Sequence, residues 1–225
     1  MNKPILTFIA LAILFAQGCK LDAPDIATDG TGSSAQSESY YPTTTGSYWV
    51  YNNVLAGSAP DTVTIKITGQ TQTINGKLYH ASTSTSKKYG SQPGLIYYNN
   101  HIASLRSNTM VSGVTVDMQI LNDTTALGHT WKAHISDSGF INGIPEQIIG
   151  TVIEKGVTKT IGGKTFTDVI NTQVELQYDT GLGDGFETFT TYHFFMAKGV
   201  GLIEIDSEAF GSEIGKERII SYSIK

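Results

Sequence analysis

The sequence has one cysteine, few basic residues and no apolar run long enough to cross a membrane as a helix. Cys19 is the only cysteine among 225 residues, so no disulfide can form within the chain. Lys and Arg total 15 against 20 Asp and Glu, and a chain without a basic stripe is not expected to bind nucleic acid. The apolar stretch from Ile5 to Ala16 falls short of the roughly 20 residues that a membrane-spanning helix needs.

Sequence motifs for catalysis, for a metal ion or for a cofactor are also missing. The five histidines have no spacing typical of zinc ligands, and no G-x-S-x-G nucleophile motif is found. Residues 158–165 end like a phosphate-binding loop, but Thr158 stands where that loop needs glycine, and a strand rather than a helix follows. We therefore predict a protein that is not an enzyme and that uses no cofactor and no metal ion. A hydrolase whose catalytic residues are far apart in the sequence stays open as an alternative.

One acidic segment is a candidate site by its spacing. Glu204, Asp206 and Glu208 share one face of a strand, and three carboxylates so placed could hold a cation or transfer protons. Ile203 and Ile205 point the other way. This arrangement is typical of a solvated outer face, which is our prediction for the segment.

The N terminus resembles the signal peptide and lipobox of bacterial lipoproteins. Lys3 precedes the apolar stretch, which ends at Ala16-Gln17-Gly18-Cys19, with small residues three and one positions before the cysteine. The resemblance implies that residues 1–18 are removed and that acyl chains such as palmitate are attached to Cys19, anchoring the protein in a membrane. The predicted location is the outer membrane, with its periplasmic and surface faces both left open.

A flexible acidic tether is predicted after the lipid, over residues 19–39. The segment is rich in Ser, Thr, Gly and Asp and contains no aromatic residue, so it has too little apolar surface to offset the entropy of ordering. Residues 40–225 provide enough chain for one domain with a sizeable core.

This domain is predicted to be all-β. Val63, Ile65 and Ile67 alternate with polar residues, and the same alternation recurs over residues 114–120 and 173–178. A period of two is typical of half-buried antiparallel strands. No stretch has a convincing helical period.

Two copies of one motif series indicate two related β units, at about 40–125 and 126–225. The series begins with G-x-x-W, ending at Trp49 and Trp131, and continues with T-I-x-G-K at residues 73–77 and 160–164. Upstream of that string, residues 64–69 align with 151–156 without a gap. Chance similarity between β-hairpin sequences is the alternative. In either case Asn75-Gly76 and Gly162-Gly163 predict tight turns with positive φ.

Several of these motifs together resemble uncharacterised cell-envelope lipoproteins of Bacteroidota. They are Tyr41-Pro42, the Gly46-x-x-Trp49-x-Tyr51 string, the I-x-G-K-x-F turn and the run from Met196 to Leu202. The resemblance implies an envelope location and a curved antiparallel sheet. It brings no activity with it.

Large apolar side chains occur on both faces of several strands, for example at 48–51, 95–98 and 189–196. Such strands predict either a strongly curved sheet or partly open barrel with a filled interior, or a two-sheet β-sandwich. Core packing is the simpler explanation of these residues. As a binding hypothesis, aromatic side chains lining the concave face would contact a small hydrophobic ligand or a carbohydrate. The candidate ligand-binding residues are Trp49, Tyr51, Tyr97, Tyr98 and Trp131.

The sequence therefore predicts a lipid-anchored envelope protein that binds a small ligand without catalysing a reaction. The alternative is a structural or protein-interaction component of the envelope with a protein partner. Cross-linking in intact cells would separate the two hypotheses, since a protein that binds a partner should give one dominant adduct.

Overall fold

A computed structural model describes residues 38–111, 114–183 and 185–225, with only the backbone described at 109–111. Within these ranges the chain forms strands and turns and no helix. The strands are β1 (Tyr48–Leu55), β2 (Asp61–Ile74), β3 (Lys77–Ser86), β4 (Gly90–Asn99), β5 (Ile102–Val111), β6 (Val114–Asn122), β7 (Thr130–Ala133), β8 (Phe140–Ile141), β9 (Ile144–Ile161), β10 (Lys164–Tyr178), β11 (Glu187–Ala197), β12 (Gly201–Ala209) and β13 (Ser212–Ser223).

The strands form one antiparallel sheet built from two consecutive meanders. Its order is β6-β5-β4-β3-β2-β1-β13-β12-β11-β10-β9-β7, and the short strand β8 pairs only with β9. The first meander runs from β1 to β6, and the second runs through β7 and β9 to β13. The first strand of one meander pairs with the last strand of the other, β1 with β13. Consecutive strands pair through short turns, so the topology needs no long crossover.

The sheet curls until its two end strands, β6 and β7, nearly meet. Between them the segment after β7 contacts β6 through one bridge between Val116 and Ser136 and through the Asp117 amide, which donates to the Ile135 carbonyl at 2.7 Å. The sheet is therefore barrel-like with an unsealed seam. This confirms the prediction of a strongly curved sheet or partly open barrel, and the two-sheet sandwich is not the arrangement.

The G-x-x-W motifs begin the two meanders with matching hydrogen bonds. The amides of Gly46 and Gly128 donate to the carbonyls of Ile67 and Val152. The strand partners of the two tryptophans nevertheless do not follow the gapless alignment of residues 64–69 with 151–156, which would place Val152 opposite Trp131. Trp49 pairs with Ile65, whereas Trp131 pairs with Gly150 rather than with Val152. The long hairpins β2–β3 and β9–β10 contain different bulges, and each bulge shifts the register of the residues beyond it. That the meanders are related units stays a prediction.

Both predicted tight turns are confirmed. Asn75 and Gly76 have φ values of 50° and 77°, and Gly162 and Gly163 have 57° and 79°. Positive φ at both central residues is the geometry of a two-residue hairpin turn of type I′. These turns join β2 to β3 and β9 to β10.

The hairpin β9–β10 explains why strands in the second meander are apolar on both faces. Its turn folds back over the outer face of β11–β13, where Lys164 donates from Nζ to the Ile220 carbonyl at 2.7 Å. The Phe166 ring meets the Tyr222 ring at a centroid separation of 6.2 Å, and Lys159 Nζ lies 3.4 Å from the Phe195 ring centroid. Outer side chains are therefore covered by a second layer while inner ones fill the interior.

The segment from Glu38 to Pro42, which we call the strap, crosses one end of the barrel-like sheet. The Ser39 carbonyl accepts from the Gly199 amide at 2.8 Å, and the Tyr40 hydroxyl donates to Asp168 Oδ1 at 3.0 Å. Tyr41 is 1% exposed and packs edge-on against Trp49. The strap thus closes this end with an aromatic ring.

Candidate functional site

The interior of the barrel-like sheet contains a cavity of about 130 Å³. Its wall is mostly apolar and comes from both meanders and the strap. Val63 and Ile65 contribute from β2, Met118 from β6, and Phe194 and Ile205 from β11 and β12. Eight strands therefore shape one space, with further lining from Tyr41, Ser82, Ser84, Gly94, Leu95, Ile96, Leu105, Arg106, Ser107, Tyr192, Leu202, Ser207 and Glu217.

Small side chains on β3 to β5 create this space. Ser82 and Ser84 alternate on the inward face of β3 and are nearly fully buried. Gly94, which pairs with Ser82, has no side chain to project inward. Across the cavity stand the larger side chains of Tyr192 and Phe194. Phenylalanine and isoleucine side chains reach further into the interior than serine and glycine do. The small residues on β3 and β4 therefore leave a space in an interior that would otherwise be closely packed.

Glu217 is the one acidic side chain among the lining residues, and it is 4% exposed. It lies on β13 beside Asn53 of β1, whose Oδ1 is buried without a hydrogen-bond partner. No hydrogen bond or ion pair joins the Glu217 carboxyl to any residue that the structure describes. Burial alone raises the pKa of Glu217 to about 7, because the charged form has lost its hydration.

A second polar atom in the wall is also unsatisfied. Ser84 Oγ is buried and has no partner among the described residues. Leaving a buried hydroxyl unpaired costs about 1–3 kcal/mol. Unpaired buried groups need an explanation, and a bound molecule that pairs with them is one.

The guanidinium of Arg106, by contrast, is already paired. It donates from Nη1 and Nη2 to the two Asp137 oxygens at 3.2 and 2.9 Å, and Asp117 Oδ2 lies 3.5 Å from Nη1. This fork raises the pKa of Arg106 and lowers that of Asp137, since each charge stabilises the other. The pair ties the segment after β7 to β5 near the seam, so its role is structural.

A more polar pocket of about 450 Å³ lies next to the cavity. It shares Ser82, Gly94, Leu95, Arg106 and Ser107 with the cavity wall. Its other lining residues are mostly amides and hydroxyls, including those of Gln70, Gln72 and Asn108. Such a lining suits a hydrated sugar better than an apolar molecule.

Two of the predicted ligand-binding residues, Trp49 and Tyr51, lie in the core beside the strap. Both are fully buried. Trp49 Nε1 donates to the Val200 carbonyl at 2.6 Å, and the Tyr51 hydroxyl donates to the Leu202 carbonyl at 2.9 Å. Their polar atoms thus bind the start of β12 to β1.

The other three predicted residues have contacts of their own outside the cavity wall. Tyr97 packs against Tyr79 at a centroid separation of 5.5 Å, and the Tyr98 hydroxyl donates to Asp123 at 2.7 Å. Trp131 covers Gly150, where a Cβ atom would come within 2.2 Å of the indole ring. None of the five predicted residues lines the cavity, and their role in ligand binding stays a prediction.

Sequence reasoning missed the residues that do line the cavity. Three signals were available. Serines at alternate positions 82, 84 and 86 leave one face of a strand without apolar side chains, and Gly94 within a strand is typical of close approach by another group. Glu217 lies between Gly215 and Ile219 on the inward face, where a charge breaks the apolar alternation.

Other predicted features have separate outcomes. Glu204 is 3% exposed and contacts Lys159 and Arg218, both at 3.3 Å, so it is a covered ion pair rather than a solvated carboxylate.

Within the described ranges no three His, Cys, Asp or Glu side chains could hold a metal ion, and no helix there is long and apolar enough to span a bilayer. Cys19 and the signal peptide lie outside the described residues.

Comparison with known proteins gives the fold and no family. No family model and no curated protein matches the chain. A crystal structure described as a lipoprotein from Parabacteroides distasonis ATCC 8503 matches with a TM-score of 0.52 and 12% identity, covering 83% of this chain and 99% of that one. An exported protein with a YmcC-like fold from Bacteroides fragilis NCTC 9343 matches with a TM-score of 0.51 and 10% identity, covering 81% and 98%. At these identities the likeness shows a shared fold alone.

Proposed function

We propose that this chain is a lipid-anchored cell-envelope protein whose barrel-like domain binds a small hydrophobic ligand and catalyses no reaction. The cavity of about 130 Å³ carries the proposal. The envelope location rests on the lipobox at Cys19. It is supported by the names of the two similar structures, one a lipoprotein and one an exported protein.

The cavity supports ligand binding because its wall offers mostly apolar surface to a molecule placed inside it. A small apolar ligand filling the space would gain free energy through dispersion contacts and through burial of its own apolar surface.

The mostly apolar wall favours a hydrophobic ligand over a carbohydrate in this cavity. Val63, Ile65, Met118 and Phe194 offer no partners for the several hydroxyls of a sugar, and each unpaired hydroxyl would cost free energy. The polar neighbouring pocket is the place where a carbohydrate would bind instead.

Filling the cavity tests the proposal. We expect 1-hexanol to bind the purified chain carrying Cys19→Ser, which removes the lipid but none of the described residues. Ser84→Leu should weaken that binding at least about tenfold, because the larger side chain occupies the ligand's space. Thr85→Leu is the matched control, since Thr85 is exposed on the same strand. Isothermal titration measures all three chains, and unchanged hexanol affinity in Ser84→Leu would contradict the assignment.

The second candidate function is contact with another envelope protein. It is favoured by exposed apolar side chains in turns at the end opposite the strap, where Leu182 is 93% and Phe210 is 77% exposed. Phe210 also has a φ of 50°, which is unfavourable for a bulky residue. This candidate takes the lead if the domain binds neither hexanol nor other small apolar probes.

A further inference from the structure

The cavity contains an uncompensated carboxyl group, and this indicates what kind of head group its ligand has. Glu217 is almost completely buried and lines the space. A buried carboxylate without a partner is among the most costly groups in a protein interior.

The groups around Glu217 accept hydrogen bonds or are neutral. Asn53 Oδ1, beside it in the β1–β13 ladder, is a buried acceptor without a donor. Tyr41 and Tyr51 are the titratable groups whose charge interacts with Glu217, and burial raises both of their pKa values, so both stay uncharged at neutral pH. The one cation in the wall, Arg106, is paired with Asp137 and Asp117. The wall contains unpaired hydroxyls at Ser84 and Tyr192, but these groups are neutral, so among the described residues the site lacks a free positive charge.

Resting on the proposed function, we propose that Glu217 receives the head group of the ligand, and that this head group is a protonated amine carried on a small apolar body. An ammonium group offers three N–H donors and a positive charge, which match a carboxylate with a neighbouring amide oxygen. The volume of the cavity suits a body the size of a benzene ring or a short alkyl chain.

Other head groups fit this wall less well. A carboxylate would bring a second negative charge next to Glu217 and would force one of the two groups to stay protonated. A neutral alcohol can donate one hydrogen bond, but it leaves the charge of Glu217 uncompensated. A charge-assisted hydrogen bond is about twice as strong as a neutral one, so the amine should be selected over the alcohol of equal length.

Amine binding should strengthen as pH rises through 7. Free Glu217 is protonated below its pKa of about 7, and a neutral carboxyl attracts an ammonium group weakly. An alkylamine stays protonated up to about pH 10. Affinity for the amine should therefore increase between pH 5 and pH 8, while affinity for the alcohol should not change.

Three probes with the same alkyl body separate the head group from the cavity. Hexylamine, hexanol and hexanoate are titrated at pH 8 into the chain carrying Cys19→Ser, by isothermal calorimetry. We expect hexylamine to bind at least about tenfold more tightly than hexanol and hexanoate to bind most weakly. Glu217→Gln should bring hexylamine down to about the affinity of hexanol, and a far-UV circular dichroism spectrum that matches that of the parent chain shows that the variant is folded. Glu208→Gln, an exposed glutamate on β12, should retain the preference.

The outcomes distinguish the two proposals. Equal binding of hexylamine and hexanol, tighter binding of hexanoate, or an amine preference that persists in Glu217→Gln would overturn the head-group assignment and leave the hydrophobic cavity standing. If none of the three probes binds, the proposed function fails, and the head-group assignment fails with it.

Discussion

The two meanders have the same strand order, but they fill the interior differently. In the first, Ile67 of β2 pairs with Ser82 of β3, and Ser82 with Gly94 of β4. In the second, Val152 of β9 pairs with Thr172 of β10, and Thr172 with Phe194 of β11. Ile67 and Val152 occupy matching positions, because the carbonyl of each accepts a hydrogen bond from the amide of the glycine that begins a G-x-x-W motif.

This difference shows how one fold can supply both a core and a cavity. The number, tilt and stagger of the strands set the radius of the barrel-like sheet. Large residues on the second meander fill their share of that radius, while serine and glycine on the first leave a space. The stability of the domain should therefore rest on the second meander and its ligand specificity on the boundary between the two.

Phe194→Ala should give the largest loss of stability. Phe194 is 3% exposed in the second meander, and removing a buried phenylalanine ring costs about 4 kcal/mol. Phe210→Ala, at a position 77% exposed, is the control and should change stability by less than about 0.5 kcal/mol. Urea unfolding followed by tryptophan fluorescence measures both variants. A loss below about 1 kcal/mol for Phe194→Ala would mean that this wall is not packed as described.

The pH dependence of stability should expose the acidic side chain that the second meander places in the cavity. The pKa of Glu217 is raised from 4.5 to about 7 in the folded protein, so the native state holds its proton more tightly than the unfolded state. This contribution is complete below pH 4.5 and is lost as pH rises through about 7, a change of roughly 3 kcal/mol.

Glu217→Gln should remove that change, so the variant should gain stability relative to the parent chain between pH 5 and pH 8. Urea midpoints at the two pH values give the comparison, with Glu208→Gln as the control. Parallel pH profiles for parent and Glu217→Gln would show that Glu217 is hydrated or paired in solution.

Alanine substitutions at two inward glycines should give the smallest effects on stability, and they compare the packing of the two meanders at single positions. A Cβ atom at Gly150 would lie 2.2 Å from the Trp131 ring, whereas one at Gly94 would meet only Ser82 Oγ, at 3.1 Å. Gly150→Ala should cost about 2 kcal/mol through overpacking, and Gly94→Ala less than about 0.5 kcal/mol because it faces the cavity. Thermal or urea unfolding measures both. Equal losses would indicate that the two walls are equally dense.

Local features of the fold could be predicted from residue patterns. Val63 and Ile67 are buried as their alternation requires, because side chains alternate across a strand whatever the strand pairs with. The hairpin turns followed from Asn75-Gly76 and Gly162-Gly163. The error in aligning the two motif series arose at bulges, which a pattern of residue types does not reveal.

The candidate site could not be predicted in the same way. Trp49 and Tyr51 were predicted to bind ligand because aromatic side chains suit such contacts, yet their polar atoms bind the backbone at Val200 and Leu202, about 150 residues away in the sequence. The cavity brings together Ser84, Phe194 and Glu217, and no local signal says that these three strands face one another.

The sequence by itself determined that the chain forms antiparallel strands joined by tight turns, because period-two burial and positive-φ turn residues act over a few neighbouring positions. It also carried the motif that predicts lipid attachment at Cys19. Only the tertiary structure decided that the sheet curls into a barrel-like form, that small side chains on β3 and β4 leave a space inside it and that Glu217 points into that space. These features depend on which strands face one another across the interior. Such contacts join residues that are far apart in the sequence, so they form only when the whole sheet is assembled.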